Sequence, residues 1–139
     1  PIEQKYQCSL EELFRGCQKR FKVQDRIVSI DVKPGWKEGT KVTYTDLGPS
    51  KVSFVLQQKK HPWFTRQGDD LHWVCSLTRS QAAKGVTLTV PMLDGSNVKL
   101  STKGESVYHG GCMAIASHGM PIKGGPERGN LVIEFRLTG

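Results

Sequence analysis

The sequence has no long hydrophobic run. None of its apolar stretches approaches the ~18–20 residues that a membrane-spanning helix needs, and no apolar segment follows a basic start at the N-terminus. We therefore expect no membrane span, no signal peptide and no membrane partner. The sequence opens with Pro1 and not with Met, which we interpret as a fragment of a longer chain.

Motifs that carry catalysis or cofactors are also missing. The sequence contains no GxSxG, GxxxxGK[ST] or GxGxxG, and its histidines, at positions 61, 72, 109 and 118, have no clear carboxylate partner. The four cysteines form no CxxC and no zinc-site spacing, and they do not suggest a disulfide framework. We expect reduced thiols in a reducing compartment, no metal, no cofactor and no enzyme.

A basic excess is present but is not a tail. The formal charge is +7, of which residues 1–77 carry +4 and residues 78–139 carry +3. Such an excess suits an acidic peptide, a nucleic acid or simple solubility. Aromatic residues make up only 8% of the chain, fewer than a base-stacking surface favours, so we expect no nucleic-acid partner. A nucleic-acid-binding basic β module remains the alternative function.

Short alternating runs rich in Val, Thr, Ile and Phe lie between frequent glycines and prolines. This pattern is typical of many short strands joined by turns, and it predicts an all-β fold. Residues 40–45 and 86–90 alternate, whereas residues 52–56 and 131–135 are more continuously apolar, as in central strands.

Two short helices interrupt this pattern at the same spacing. Ser9 begins the capping box SLEE and Thr78 begins TRSQ, and a glycine that can end the helix follows each at Gly16 and Gly85. The two caps and the two glycines are each 69 residues apart. We therefore predict two similar β-rich subdomains in tandem, each with a short helix and joined near residues 66–77.

The segment CQKRFKV at 17–23 has two interpretations. As a strand, it places Lys19, Phe21 and Val23 on one face and Arg20 and Lys22 on the other. It is then either an ordinary half-buried strand with Phe21 in the core, or the edge of an apolar groove with a cation at its rim. The second form suits an extended peptide that adds as a strand.

Several motifs occur in an order that resembles a known family. These are SLEELFRG at 9–16, VKPGWKEGTKVTY at 32–44, HPWFTRQGDDL at 61–71, LDG at 93–95, GMPI at 119–122 and RGNL at 128–131. The sequence resembles the C-terminal substrate-binding region of a DnaJ-type (heat-shock protein 40) co-chaperone. It lacks CxxCxGxG repeats, as does the branch without a zinc finger, and its loops at 24–27 and 47–52 are shorter than in the family.

The resemblance implies two tandem β-sandwich subdomains, residues 1–77 and 78–139. It implies a chaperone module that binds unfolded client segments and the acidic C-terminal tail of a heat-shock protein 70 (DnaK-type) partner. It implies a client groove lined by Tyr6, Phe21, Val23 and Phe54. The carboxylates of the acidic tail would face Lys19, Lys22 and Lys59. We expect reversal of the charge on Lys19 to abolish tail binding and leave the fold intact.

The resemblance also sets expectations for the intact protein. The J domain is absent from this fragment, since the only His-Pro, His61-Pro62, is followed by Trp63 and not by Asp. The sequence stops where family members continue into a dimerisation segment, so the intact protein would be a homodimer. The location implied is the cytoplasm, or also the nucleus.

Overall fold

The computed structural model describes residues 2–46, 48 and 51–139, so Leu47, Pro49 and Ser50 of the shortened loop at 47–52 lie outside the described residues. Strands dominate, and the two helices of the described part have six residues each, which confirms the predicted all-β class. The strands are β1 (Ile2–Cys8), β2 (Cys17–Val23), β3 (Arg26–Val32), β4 (Lys41–Tyr44), β5 (Val52–Gln58), β6 (Phe64–Gln67), β7 (Asp70–Thr78), β8 (Thr87–Pro91), β9 (Asn97–Ser101), β10 (Cys112–Ile115) and β11 (Leu131–Thr138), and the helices are α1 (Leu10–Arg15) and α2 (Arg79–Lys84).

The chain forms two compact units. The first unit contains residues 1–61 together with 121–125, and the second contains residues 62–120 together with 126–139. The boundary predicted between residues 77 and 78 falls at the end of β7, inside the second unit. The units divide earlier because β7 pairs in parallel with β11 along eight residues, from Leu71 to Thr78.

A three-stranded sheet and a hairpin build the first unit. The sheet has the order β1-β5-β4, with β1 and β5 parallel, and β2 and β3 form the hairpin. Gln24 and Asp25 make its two-residue turn with φ values of 48° and 66°, the left-handed pair typical of a type I′ turn. Since such a turn needs no further residues, the shortened 24–27 segment closes the hairpin directly.

The core of the first unit lies between the hairpin and the sheet. Val28, Ile30 and Val32 of β3 are buried, as are Phe54 and Leu56 of β5. This alternation on β3 leaves one face of the hairpin toward the core and the other toward solvent. The hydroxyl of Tyr44 donates to the Ser29 carbonyl at 3.2 Å, which ties β4 to β3.

A later stretch of chain completes the first unit at the KPGW motif. The Gly35 N–H donates to the Leu13 carbonyl at 2.9 Å. A Cβ on Gly35 would stand 2.6 Å from the carbonyl oxygen of Pro121 and 2.9 Å from the nitrogen of Lys123. Gly35 also has a φ of 90°, so both its conformation and the close approach of residues 121–125 require a glycine.

The second unit has a four-stranded sheet of order β10-β11-β7-β6 and a separate β8-β9 hairpin. Leu71, Leu131, Ile133 and Phe135 are buried in its core. As predicted, the continuously apolar strands are central, since β5 and β11 each have a neighbour on both sides. The Gly68-Asp69 turn connects β6 to β7 within one hairpin.

Both capping boxes form as the sequence predicts. The Ser9 hydroxyl accepts from the Glu12 N–H, and the Thr78 hydroxyl accepts from the Gln81 N–H. Each helix then ends at a glycine with nearly the same backbone, φ 83° and ψ 156° at Gly16, and φ 85° and ψ 149° at Gly85. The 69-residue repeat is therefore also a repeat of strand, capped helix, glycine and strand.

Candidate functional site

The β2 strand leaves one side without a neighbour. Within the described residues β2 pairs only with β3, in a ladder from Cys17↔Val32 to Val23↔Arg26. Its side chains alternate as predicted: Lys19, Phe21 and Val23 are half-buried, and Arg20 and Lys22 are exposed. Unpaired backbone N–H and C=O groups on such an edge are a template for an added strand.

Three aromatic rings meet beside this edge. The Phe21 ring stacks on Phe54 with a centroid separation of 5.0 Å, and it meets Tyr6 edge-on at 5.6 Å. Phe54 is fully buried and Tyr6 is 4% exposed, whereas Phe21 is only half-buried. Phe21 is thus the ring of this cluster that reaches both the core and the surface.

Val23 and Tyr44 complete the apolar surroundings in different ways. Val23 lies on the same face of β2 as Phe21, at the hairpin end, and is half-buried. Tyr44, which the sequence did not single out, packs edge-on against Phe54 at 6.0 Å. The alternation of β4 was the available signal for Tyr44, but its partner ring depends on the packing of β4 beside β5.

The Tyr6 hydroxyl is a buried polar group with no hydrogen-bond partner among the described residues. Burial is the main reason that the pKa of Tyr6 rises to about 12, with a smaller contribution from Cys8. The side chain is therefore a neutral hydroxyl at any physiological pH. A buried hydroxyl without a partner lowers stability by about 1–3 kcal/mol.

Lys19 is held by a carboxylate that sequence reasoning missed. The Lys19 Nζ donates to Glu12 Oε2 at 2.7 Å, and the two side chains are 25% and 22% exposed. The hydrogen bond from Lys19 to Glu12 raises the pKa of Lys19. Burial pushes the pKa of Glu12 upward, but the hydrogen bonds from Lys19 and Ser9 outweigh it, so this pKa lies below its ordinary value.

This pairing changes the expectation for charge reversal at Lys19. A carboxylate at position 19 would face Glu12 across a partly buried contact, where like charges repel strongly. We therefore expect Lys19→Glu to lower the stability of the first unit, a cost that the sequence pattern did not indicate. One sequence signal could have identified Glu12 as the partner of Lys19. Glu12 is the third residue of α1, and the glycine that ends this helix turns the chain back into β2, which carries Lys19.

The three lysines predicted to receive an acidic tail do not share one face. Lys22 is exposed on the face of β2 opposite Lys19. Lys59 is exposed just after β5, and its N–H donates to the Cys8 carbonyl at 2.8 Å. Lys19 donates to Glu12, whose carboxylate accepts from the N–H of Ser9, next to Cys8. Lys19 and the backbone of Lys59 therefore both lie near the Cys8 end of β1.

The basic excess is concentrated in the first unit. Its two stretches hold 13 basic and 7 acidic side chains, a formal charge of +6, whereas the second unit holds 7 and 6, a charge of +1. The nearly even division between residues 1–77 and 78–139 hid this asymmetry. An acidic ligand is therefore attracted mainly to the unit that carries the aromatic edge.

The second unit has surface clefts of another kind. One of about 450 Å³ lies beside Trp63, His72, Glu134 and Arg136, and a smaller one of about 270 Å³ lies between Trp63, Trp73 and β8. The Arg136 guanidinium donates to Glu134 at 3.1 Å, so its charge is already paired. This pairing weakens the case for a nucleic-acid surface there, which needs free cations beside the rings.

Several histidine and cysteine side chains outside the aromatic cluster have neighbours that explain them structurally. His61 Nε2 lies 3.3 Å from Glu11 Oε1, a carboxylate neighbour that the sequence pattern did not reveal. Burial raises the pKa of Cys8 to about 12 and also raises the pKa of Cys75, which fits unreactive core thiols. Within the described part of the chain, no His, Cys, Asp and Glu side chains cluster in a way that could hold a metal ion, and no helix could span a membrane.

Comparison with known proteins decides the family. Residues 2–138 match the family described as the DnaJ C terminal domain. The chain belongs to this family. Among curated relatives of DnaJ type, Protein psi1 of Schizosaccharomyces pombe is 36% identical over 93% of the chain. DnaJ protein homolog 1 of Drosophila melanogaster is 32% identical over 99% of the chain, and Protein SIS1 of Saccharomyces cerevisiae is 33% identical over 93%.

The DnaJ C-terminal domain match accounts for nearly the whole sequence, and the resemblance drawn from the motifs is confirmed. The chain spans 39%, 47% and 42% of the lengths of these three relatives, less than half in each case. What the longer relatives do as whole proteins therefore exceeds what this chain shows. The described geometry is that of a DnaJ C-terminal domain whose first unit combines an aromatic edge with a positive charge.

Proposed function

We propose that this DnaJ C-terminal domain is the polypeptide-binding part of a co-chaperone. It holds extended segments of unfolded client proteins, and it binds the acidic C-terminal tail of a heat-shock protein 70 (DnaK-type) partner. The observation that carries this proposal is the half-buried Phe21 ring, packed on Tyr6 and Phe54, on a strand whose second edge has no strand partner among the described residues. Family membership favours the same function.

Client binding follows from the backbone and the rings together. An extended peptide adds to β2 through main-chain hydrogen bonds, which are blind to sequence, and it inserts an apolar side chain against Phe21 and Val23. The Tyr6 hydroxyl is buried and has no partner among the described residues, so it can donate to a carbonyl of the bound segment when peptide binding opens the groove around it. This combination accepts many sequences, as the holding of unfolded chains requires.

The affinity for clients is modest. Each well-buried apolar side chain contributes roughly 1.5–3 kcal/mol. Ordering the peptide and removing its translational freedom offset several kcal/mol of that gain. The net dissociation constant is therefore micromolar or weaker, which corresponds to a binding free energy of about −8 kcal/mol or less favourable. Weak binding permits release to the partner chaperone, and a dimer of the intact protein would add avidity.

The acidic tail uses the charge of the first unit. Exposed lysine–carboxylate pairs contribute about 0.2–1 kcal/mol each and are screened by salt. Lys22 and Lys59 are exposed, and Lys19 lies near the Cys8 end of β1, as the backbone of Lys59 does. Binding of the tail therefore depends on several weak contacts, and the two ligands differ in their response to salt.

A titration at two ionic strengths tests the proposal. A fluorescent acidic-tail peptide and a fluorescent apolar peptide are each titrated at about 0.05 M and about 0.5 M salt, where screening lengths differ roughly threefold. We expect the acidic peptide to lose most of its affinity and the apolar peptide to lose little. Equal salt dependence of the two peptides would contradict separate contacts.

Two charge reversals provide a matched comparison. Lys22→Glu in the first unit should weaken the acidic peptide about three- to tenfold, since an exposed ion pair becomes a repulsive one. Lys99→Glu changes an equally exposed strand lysine in the second unit and should have little effect. If the two variants weaken binding equally, the tail does not select the first unit. A single-stranded oligonucleotide, titrated in parallel, tests the alternative function.

A further inference from the structure

The carboxylate of Glu12 has two partners. Its Oε1 accepts from the Ser9 N–H at 2.9 Å, which closes the capping box of α1. Its Oε2 accepts from the Lys19 Nζ at 2.7 Å. One side chain therefore joins the start of the helix to the strand that carries the aromatic edge.

The second unit shows that the cap does not need the charge. In α2 the same position is Gln81, whose amide oxygen accepts from the Thr78 N–H at 2.8 Å. Leu88 stands one repeat after Lys19, so this helix has neither the carboxylate nor the ammonium group. A glutamine satisfies the box, as is general for capping boxes. The capping box therefore needs no negative charge at this position, and the charge of Glu12 is used in its contact with Lys19.

This contact determines which ligands gain from Lys19. A ligand with a single carboxylate would only replace one ion pair by another, and it would leave Glu12 partly buried without its counterion. A ligand with several carboxylates can also reach the exposed ammonium group of Lys59. Only the second kind of ligand gains enough to displace Glu12.

We propose that Glu12 is a specificity-determining residue of the groove, an internal carboxylate that competes for Lys19 and reserves the site for ligands carrying several acidic groups. This inference rests on the proposed function, because it assumes that the acidic ligand binds beside β2. It assigns to the charge on α1 a role in selection that the helix cap alone does not explain.

The test compares two synthetic peptides on wild-type protein and on Glu12→Gln. Both peptides share one apolar segment. One ends in a run of glutamates, and in the other all but one of these are glutamine. Wild-type protein should clearly prefer the first peptide. In Glu12→Gln we expect the second peptide to bind about three- to tenfold more tightly, with a smaller gain for the first, because a neutral amide no longer competes for the ammonium group.

Matched variants isolate the contact. Glu11→Gln removes the same charge from the same helix, but Glu11 lies beside His61 and not beside Lys19, so the preference between the peptides should persist. In a Lys19→Met background, Glu12→Gln should no longer change the preference, as a double-mutant cycle requires of a direct interaction. Since Gln81 occupies the equivalent cap, Glu12→Gln should melt within about 8 °C of wild type.

The outcomes separate the two proposals. If wild-type protein binds neither peptide, the proposed function and this inference both fail. If wild-type protein binds the glutamate-rich peptide but Glu12→Gln leaves the preference unchanged, the inference alone is overturned. If Glu12→Gln weakens both peptides, Glu12 positions Lys19 for the ligand and does not compete with it, which also overturns the inference.

Discussion

Replacement of Phe21 by alanine tests whether this ring belongs to the core or to a binding surface. A fully buried phenylalanine costs about 3–5 kcal/mol when cut to alanine. Phe21 is half-buried, so part of its ring already contacts solvent. We therefore expect Phe21→Ala to lower the free energy of unfolding by about 2 kcal/mol, part of it from the lost ring pairs with Phe54 and Tyr6.

A loss of this size leaves the first unit folded, because domains of ordinary stability have about 5–15 kcal/mol to lose. The apolar peptide should bind roughly tenfold more weakly, since about 1.4 kcal/mol of its burial against the ring is removed. Phe54→Ala is the matched control: its ring is fully buried in the same cluster, and its loss should approach the upper figure of about 5 kcal/mol.

Urea unfolding and peptide titration measure the two effects. Trp36 is the only tryptophan of the first unit, whereas Trp63 and Trp73 belong to the second. In a Trp63→Phe, Trp73→Phe background, the fluorescence of Trp36 therefore reports the first unit alone. A stability loss equal to that of Phe54→Ala would place Phe21 in the core. Unchanged peptide binding by a folded Phe21→Ala protein would refute its role in the groove.

Three further predictions concern single groups. Tyr6→Phe removes a buried hydroxyl without a partner among the described residues, so the melting temperature should be unchanged or higher. If the hydroxyl donates to the bound peptide, the apolar peptide should bind at least about threefold more weakly to this variant. Tighter binding would contradict this contact. The Glu12–Lys19 pair should stabilise the first unit between an acidic and a basic pH limit. The pKa of Glu12 is lowered from 4.5, so the stability that Glu12 contributes is lost as the pH falls below 4.5. The pKa of Lys19 is raised from 10.5, so the stability that Lys19 contributes is lost as the pH rises above 10.5. In Glu12→Gln, the urea midpoint of unfolding should fall less at acidic pH than it does in the wild type. The same dependence of the midpoint on pH in both proteins would contradict the pairing. Gly129→Ala should lower the free energy of unfolding by about 3 kcal/mol, because the new Cβ would overlap a backbone carbonyl. Gly104→Ala, in open space but with positive φ, should lower it by about 1 kcal/mol. Equal melting temperatures of the two variants would contradict the close approach of the backbone to Gly129.

Local features of the fold were predictable because their causes are local. The capping boxes at Ser9 and Thr78 depend on residues three positions apart, and the glycine stops follow within one turn. The alternation in β2 likewise fixed which side chains share a face with Phe21. The central strands β5 and β11 could be recognised because apolar side chains predominate along residues 52–56 and 131–135.

The contacts of the site were less accessible because they join distant positions. The sequence did not reveal that Glu12 holds Lys19, since a capping box explains the glutamate completely without a second partner. It also did not show that β7 pairs with β11, a parallel contact across more than fifty residues. Without that pairing, the division of the chain and the concentration of positive charge in one unit could not be derived.

Residues 121–125 have a consequence for the order in which the molecule is made. They belong to the first unit and press on Gly35, although nearly sixty residues of the second unit are synthesised before them. A nascent chain that ends at residue 77, or even at 120, still lacks this closing segment. The packing around Gly35 is therefore completed only after most of the second unit has been synthesised, which couples maturation of the two halves in time.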